Sequence, residues 1–154
     1  MRTHDHKVAW ILATWFGCGR VPVAPGTAGT LGAVPLYLMA ATLGHAAVGI
    51  TALAVTAAGV WAASIAARDV GTEDPQVVVV DEVAGFLVTM LGVSRPSWVA
   101  VAVGFAVFRL LDSLKPWPIG RLEALPGGWG IVMDDVGAGV LGAALMRVFA
   151  VVSP

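Results

Sequence analysis

Charge is the scarcest property of this 154-residue chain. Its 9 basic and 10 acidic residues make up 12% of the sequence, against about 25% in soluble globular proteins. A formal net charge of −1 leaves no basic footprint for nucleic acid. A single cysteine, Cys18, excludes an intramolecular disulfide framework and every cysteine-based metal knuckle. Disorder is excluded by the opposite excess, a 58% apolar composition with mean hydropathy +0.85, since disordered chains are poor in apolar residues. What remains is a small integral membrane protein or an exceptionally oily helical domain, and the length fits one domain over residues 1–154.

The placement of the few charges separates these two. Between Arg20 and Arg68 lie 47 residues without Asp, Glu, Lys or Arg. Within that stretch, residues 46–67 are uncharged and would make about 33 Å of helix at about 1.5 Å per residue, against a hydrocarbon core of about 30 Å. They are expected to span a membrane. Residues 31–43 form a weaker partner, with Pro35 near the start and Gly44-His45 as the turn. Three further apolar segments are expected to be helical, 77–94, 97–111 and 136–152, holding Asp81 and Glu82, Arg109, and Arg147 respectively. Arg95-Pro96-Ser97 reads as a tight connection, because the residue before a proline is biased away from helix. The uncharged cores at 83–94 and 96–108 are too short to cross a bilayer alone. They become long enough only if their polar ends are helical and buried in protein, as expected where ionisable groups in a membrane belong to a site.

The N-terminal segment 1–20 places Arg2 and Lys7 before a short apolar run, with no small-x-small cleavage pattern. It reads as a non-cleaved interfacial or short buried helix. His4-x-His6 has metal-ligand spacing, but a frayed terminus is the better reading. If 31–67 and 83–108 are helical hairpins, then Arg2, Lys7, Arg20, Arg68, Arg109, Lys115 and Arg121 fall on one side, which the positive-inside rule makes cytoplasmic. Asp69, Glu73, Asp74, Asp81, Glu82, Asp112, Glu123, Asp134 and Asp135 gather there too. A transporter would place such groups near the midplane in paired repeats; no internal repeat is visible.

Four stretches on this rim carry chemistry. In Val23-Ala-Pro-Gly-Thr-Ala-Gly-Thr30, a helix start offers backbone N–H groups to an anion, with hydroxyls from Thr27 and Thr30; a capped turn at the interface explains the loop equally well. In Asp74-Pro-Gln-Val-Val-Val-Val-Asp81-Glu82-Val-Ala-Gly85, two carboxylates enter an apolar helix and need a cation or a base to compensate them. They point about 100° apart, so one can bind a metal while the other orients it or takes a proton. In the third stretch Arg109, Asp112 and Lys115 recur at i, i+3 and share a helical face, as a structural ion-pair array or as a phosphate grip. Pro116 and Pro118 end that helix, and Trp117 suits an interface. In the fourth, Gly127-Gly-Trp-Gly130 leads to Asp134-Asp135 at the mouth of the last span. Hard cations such as Mg²⁺ use such carboxylates with phosphate and water, and Gly137, Ala138, Gly139 and Gly142 permit close helix packing.

These stretches resemble the phosphatidylglycerophosphatase A family of bacterial lipid phosphatases. The resemblance rests on Pro25-Gly26-Thr27 with Gly29, on Val79-Val80-Asp81-Glu82 with Gly85, and on Phe108-Arg109 with Asp112 and Lys115-Pro116-Trp117-Pro118-Ile119. It is completed by Gly127-Gly128, Gly130-Ile131, Asp134-Asp135, Ala138 and Gly139, in order over residues 12–145. It implies an all-α fold and a Mg²⁺-dependent phosphatase. The implied reaction converts phosphatidylglycerophosphate to phosphatidylglycerol and phosphate at the cytoplasmic face of the bacterial inner membrane.

The residues constrain the mechanism independently. No Cys-x₅-Arg follows Cys18, no histidine lies in the carboxylate-rich segments, and Asp134-Asp135 is not the Asp-x-Asp of phospho-aspartate enzymes. Metal-assisted hydrolysis survives this elimination. The expectation is an all-α, multispan membrane bundle whose short helices surround a carboxylate-lined site at the cytoplasmic rim. Asp81, Glu82, Asp134 and Asp135 are expected to hold Mg²⁺ and do the chemistry. Arg109 and Lys115, with Gly26 and Thr27, would bind the substrate phosphate, supported by Asp112 and Thr30. The partner is a bilayer phospholipid, and a homo-oligomer is compatible with the sequence. The competing classes are a small transporter or scaffold with structural rim charges, and a lipid phosphotransferase, whose usual Asp-x₂-Asp-Gly-x₂-Ala-Arg run is absent.

Overall fold

A computed structural model describes residues 2–152. Among these residues the chain is all-helical, without strands, in six α-helices: α1 (Arg2–Ala13), α2 (Pro25–Thr42), α3 (His45–Val70), α4 (Val80–Thr89), α5 (Trp98–Leu114) and α6 (Gly128–Val152). Three-residue 3₁₀ turns at Cys18–Arg20 and Met90–Gly92 and a longer one at Ile119–Ala124 join them.

Local chemistry sets the ends. Pro25 occupies the first turn of α2, where its missing N–H costs nothing. Gly44, at φ 107°, makes the turn between α2 and α3. The Ser97 hydroxyl caps α5 by accepting from the Ala100 N–H at 3.0 Å. Gly71 ends α3 in the left-handed region, its N–H donating to the Ala67 carbonyl.

The short helix α4 is the hub, touching α2, α3, α5 and α6. Val83, Ala84, Gly85, Phe86 and Leu87 are buried in succession. Its closest seam is with α6 and is built from missing side chains. A Cβ on Gly85 would lie 2.6 Å from the Asp135 carbonyl oxygen and would also strike the Phe108 ring. One on Gly139 would collide with the Gly85 carbonyl oxygen, and one on Gly142 would reach the Thr89 hydroxyl at 2.8 Å. Such close backbone approach replaces the hydrophobic drive that lipid removes. Tyr37, Phe86, Phe108, Met90 and Met146 fill the core on one side of α4; Ala62, Ala66, Val80 and Val132 fill it on the other.

The sequence expectations shift in four places. The apolar segment 31–43 is the distal part of α2, which begins at Pro25, so the Pro/Gly/Thr stretch is already helix. The segment 136–152 belongs to α6 from Gly128, so Asp134 and Asp135 sit inside the helix instead of at its mouth. The segment 77–94 yields only ten α-helical residues, about 15 Å. Among the described residues one helix, α3, is long and apolar enough to cross a membrane by length and composition. The expected frayed terminus is a docked helix, because His6 Nδ1 and Trp10 Nε1 meet Asp69 Oδ2 at 3.1 and 2.9 Å.

Gly139→Val should overpack the α4–α6 seam and destabilise the protein by about 1–3 kcal/mol, whereas Gly49→Ala, whose Cβ would make only ordinary van der Waals contact with the Leu91 side chain at 3.8 Å, should not. Thermal unfolding of the two variants in detergent checks this.

Candidate active site

Helix polarity gathers the functional residues. The first turn of α2, the start of α4, the end of α5 and the second turn of α6 meet at one end of the bundle. There they enclose a cavity of about 280 Å³ lined by Pro25, Gly26, Asp74, Gln76, Val78, Asp81, Glu82, Asp112, Lys115, Ile131, Asp134 and Asp135. A larger hollow of about 850 Å³ opens beside it, sharing Asp74, Ile131 and Asp134 and reaching Arg68 and Glu123.

Three carboxyl groups from three helices converge inside. One ligand oxygen each from Glu82, Asp112 and Asp135 lies within 4.8 Å of the others. The grouping differs from the expected set. Asp112, expected as a support, belongs to it, whereas Asp81 and Asp134 do not. Adjacent helical residues diverge by about 100°, so each acidic pair sends one member to the trio and the other along the cavity wall.

Arg109 and Lys115, expected from sequence to bind the substrate phosphate, hold these acids instead of standing free. Arg109 Nη1 donates to Asp112 Oδ2 at 2.8 Å and to Glu82 Oε1 at 3.3 Å. Lys115, in a left-handed conformation just beyond α5, donates to Asp134 Oδ2 at 2.6 Å and also to Glu123. Burial works against the charge of Lys115, yet these two hydrogen bonds and the charges behind them hold its ammonium above the usual lysine range. Desolvation at the cavity wall pushes Asp74 above the usual aspartate range, against the pull of Lys115.

Gly26 lies against the site: a Cβ there would collide with Glu82 and come 3.1 Å from Arg109 Nη1. The threonines do not reach the cavity. Thr30 is fully buried and its hydroxyl donates back to the Gly26 carbonyl at 3.0 Å, satisfying itself within α2, and Thr27 is absent from the lining. At the start of α6 the Gly128 N–H donates to Ser64 Oγ at 3.0 Å. Sequence reasoning missed Glu123 and Asp74 as site residues. Glu123 gave no local signal; Asp74 stood in plain view, seven residues before Asp81.

The donor set suits a hard divalent cation. The cavity offers carboxylate oxygens and no sulfur or imidazole, as Mg²⁺ prefers. Asp81 Oδ1, Glu82 Oε2 and Asp134 Oδ1 are buried without hydrogen-bond partners among the described residues. Buried anionic oxygens left so are costly, and a cation with its water shell would satisfy them.

The chain matches the family described as phosphatidylglycerophosphatase A over residues 11–150. It is similar to phosphatidylglycerophosphatase A of Escherichia coli (strain K12), 36% identical over 137 residues, 88% of this chain and 80% of that protein. The Haemophilus influenzae protein of the same name is 34% identical over 143 residues, 92% and 86% of the two chains. A Bacteroides thetaiotaomicron protein named "Putative phosphatidylinositol-3-phosphatase" is 40% identical over 145 residues, 90% and 91%. No solved structure matches.

Arg109→Met should leave Glu82 and Asp112 facing each other without their counter-cation, costing about 3–5 kcal/mol as for a broken buried pair. Adding Glu82→Gln to that variant should restore part of the loss. A double-mutant cycle by thermal unfolding, run without divalent cations, checks this; simple additivity would contradict the coupling.

Proposed function

Because the chain belongs to the phosphatidylglycerophosphatase A family, we propose that it is a lipid phosphatase that hydrolyses phosphatidylglycerophosphate to phosphatidylglycerol and phosphate. The observation that carries the reading is the convergence of Glu82, Asp112 and Asp135 beside unpartnered buried carboxylate oxygens. Mg²⁺ is the cofactor this donor set suits, with those three residues as its holders. When bound it would supply positive charge against the phosphoryl oxygens and acidify a water.

The chain's own residues do the rest. Arg109 fixes the spacing of Glu82 and Asp112 by donating to both. Lys115 lines the cavity and meets the incoming phosphate, exchanging the exposed Glu123 for a phosphoryl oxygen while Asp134 keeps it in place. Asp81 and Asp134, each with a free oxygen on the cavity wall, are placed to accept the proton of the attacking water. Gly26 brings the positive end of α2 against the site, and its lack of a side chain leaves room for Glu82. Here Thr27 and Thr30 take no part.

The outward faces support a membrane setting. Met39, Ile50, Leu53, Val99, Val140 and Val148 on α2, α3, α5 and α6, and Leu43 just after α2, are exposed, an apolar coat that a lipid bilayer would cover. We read the bundle as multi-pass in the bacterial inner membrane. The short α4 is shielded by its neighbours and the site faces the cytoplasm, the side richer in basic residues. A transporter would need ionisable groups along a path through the bundle, whereas these cluster at one end. The Bacteroides relative favours a second reading that differs in headgroup alone, a phosphoinositide phosphomonoester.

Purified protein should release phosphate from detergent-dispersed phosphatidylglycerophosphate, lose that activity in EDTA and regain it with Mg²⁺. Asp135→Asn and Asp112→Asn should each lower turnover at least about 100-fold while still inserting in membranes. Phosphatidylinositol 3-phosphate assayed in parallel decides the headgroup, and full activity in EDTA would refute the metal site.

A further inference from the structure

We propose that the N-terminal helix and the turn after it form a binding site for an anionic phospholipid, separate from the carboxylate cavity. Helix α1 and the 3₁₀ turn flank a crevice of about 590 Å³ whose walls include His6, Lys7, Trp10, Ile11, Phe16 and Arg20. No carboxylate lines it, on a rim otherwise crowded with acids. Lys7 and Arg20 have no ion-pair partner among the described residues. Asp69, next to the crevice-wall residues His6 and Trp10, is taken up by hydrogen bonds to both. The crevice is therefore basic at its edges and apolar between them, which is the pattern of a phosphate headgroup followed by acyl chains.

The backbone points to the same occupant independently. Trp15 and Phe16 are consecutive residues in the left-handed region, at φ 44° and 55°, each costing on the order of 1 kcal/mol for a side chain with a Cβ. The strain does not bury them both: Trp15 is pinned by its indole N–H to the Gly32 carbonyl at 3.0 Å, while Phe16 is thrust out, 71% exposed. Val21 and Val23 project nearby in sequence, Val23 at 77%. A turn held in a costly shape to display a phenylalanine and valines beside an arginine suits insertion among lipid headgroups.

This surface is tied to the carboxylate site. The Val79 N–H, two residues before Asp81, donates to the Ala13 carbonyl at the end of α1 at 2.8 Å, and a Cβ on Gly19 would collide with the Val77 carbonyl oxygen. A lipid seated on α1 therefore braces the segment that delivers Asp81 and Glu82.

The test is native mass spectrometry of the full-length protein released from detergent with phosphatidylserine or phosphatidylcholine added. Phosphatidylserine should be retained in preference. Lys7→Gln/Arg20→Gln should weaken its retention roughly 25-fold, since each basic side chain near an anionic headgroup contributes about fivefold. Phe16→Ser should lower retention of both lipids. Arg95→Gln, at the opposite end of the bundle, is the control and should change nothing. Equal retention of the two lipids, an unchanged preference in the double variant, or an equal loss in the control would overturn the proposal. The readout does not involve phosphatase activity, so it stands or falls apart from the assigned reaction.

Discussion

Like charges that share a dry space repel, and the rest of this structure answers that constraint. Glu82, Asp112 and Asp135 bring ligand oxygens within 4.8 Å of one another, where two unit charges oppose each other by about 3 kcal/mol at an effective dielectric of about 20. Arg109 offsets the Glu82 and Asp112 part, and Lys115 neutralises the neighbouring Asp134. Asp135 has no basic partner among the described ion pairs, and three further oxygens stay unpartnered. An all-oxygen cluster left in this state is short of positive charge, which a divalent cation would supply.

Holding such a cluster together demands rigid support, which the helices provide through absent side chains. Gly85 meets the Asp135 carbonyl and Gly139 meets the Gly85 carbonyl, so the acids on α4 and α6 are set at one height by backbone contact. Gly26, by lacking a side chain, lets the first turn of α2 lie against the Glu82 carboxylate. Substitution at any of these would push apart the elements that carry the acids, so fold and site share one set of small residues.

Most of the parts were legible in the sequence. The uncharged run between Arg20 and Arg68 announced α2 and α3, Gly44 their turn, and Pro116 the end of α5. The four motif stretches do meet, and every carboxylate expected in the site lines one cavity. Thr30 was misassigned because a hydroxyl near a helix start looks the same in sequence whether it faces a ligand or turns back to the carbonyl four residues earlier. The glycines before α6 were read as a loop because glycine is a poor helix former, yet Gly128 and Gly130 fit where Val60, Ser64 and Glu123 leave no room for a Cβ. Tertiary contact overrode propensity there.

By itself the sequence determined which residue types are available: scarce acids and bases at helix ends, long uncharged segments between them, and small residues where helices must touch. It could do so because apolar periodicity, helix stops and charge scarcity are local properties, readable within a few turns. Only the tertiary structure decided who pairs with whom. That Asp112 joins Glu82 and Asp135, that Asp134 takes Lys115, and that Glu123 comes to the site at all depend on distances between helices far apart in the chain. Those distances are set by steric fit along the α4–α6 seam, where no adjacent residue carries the information.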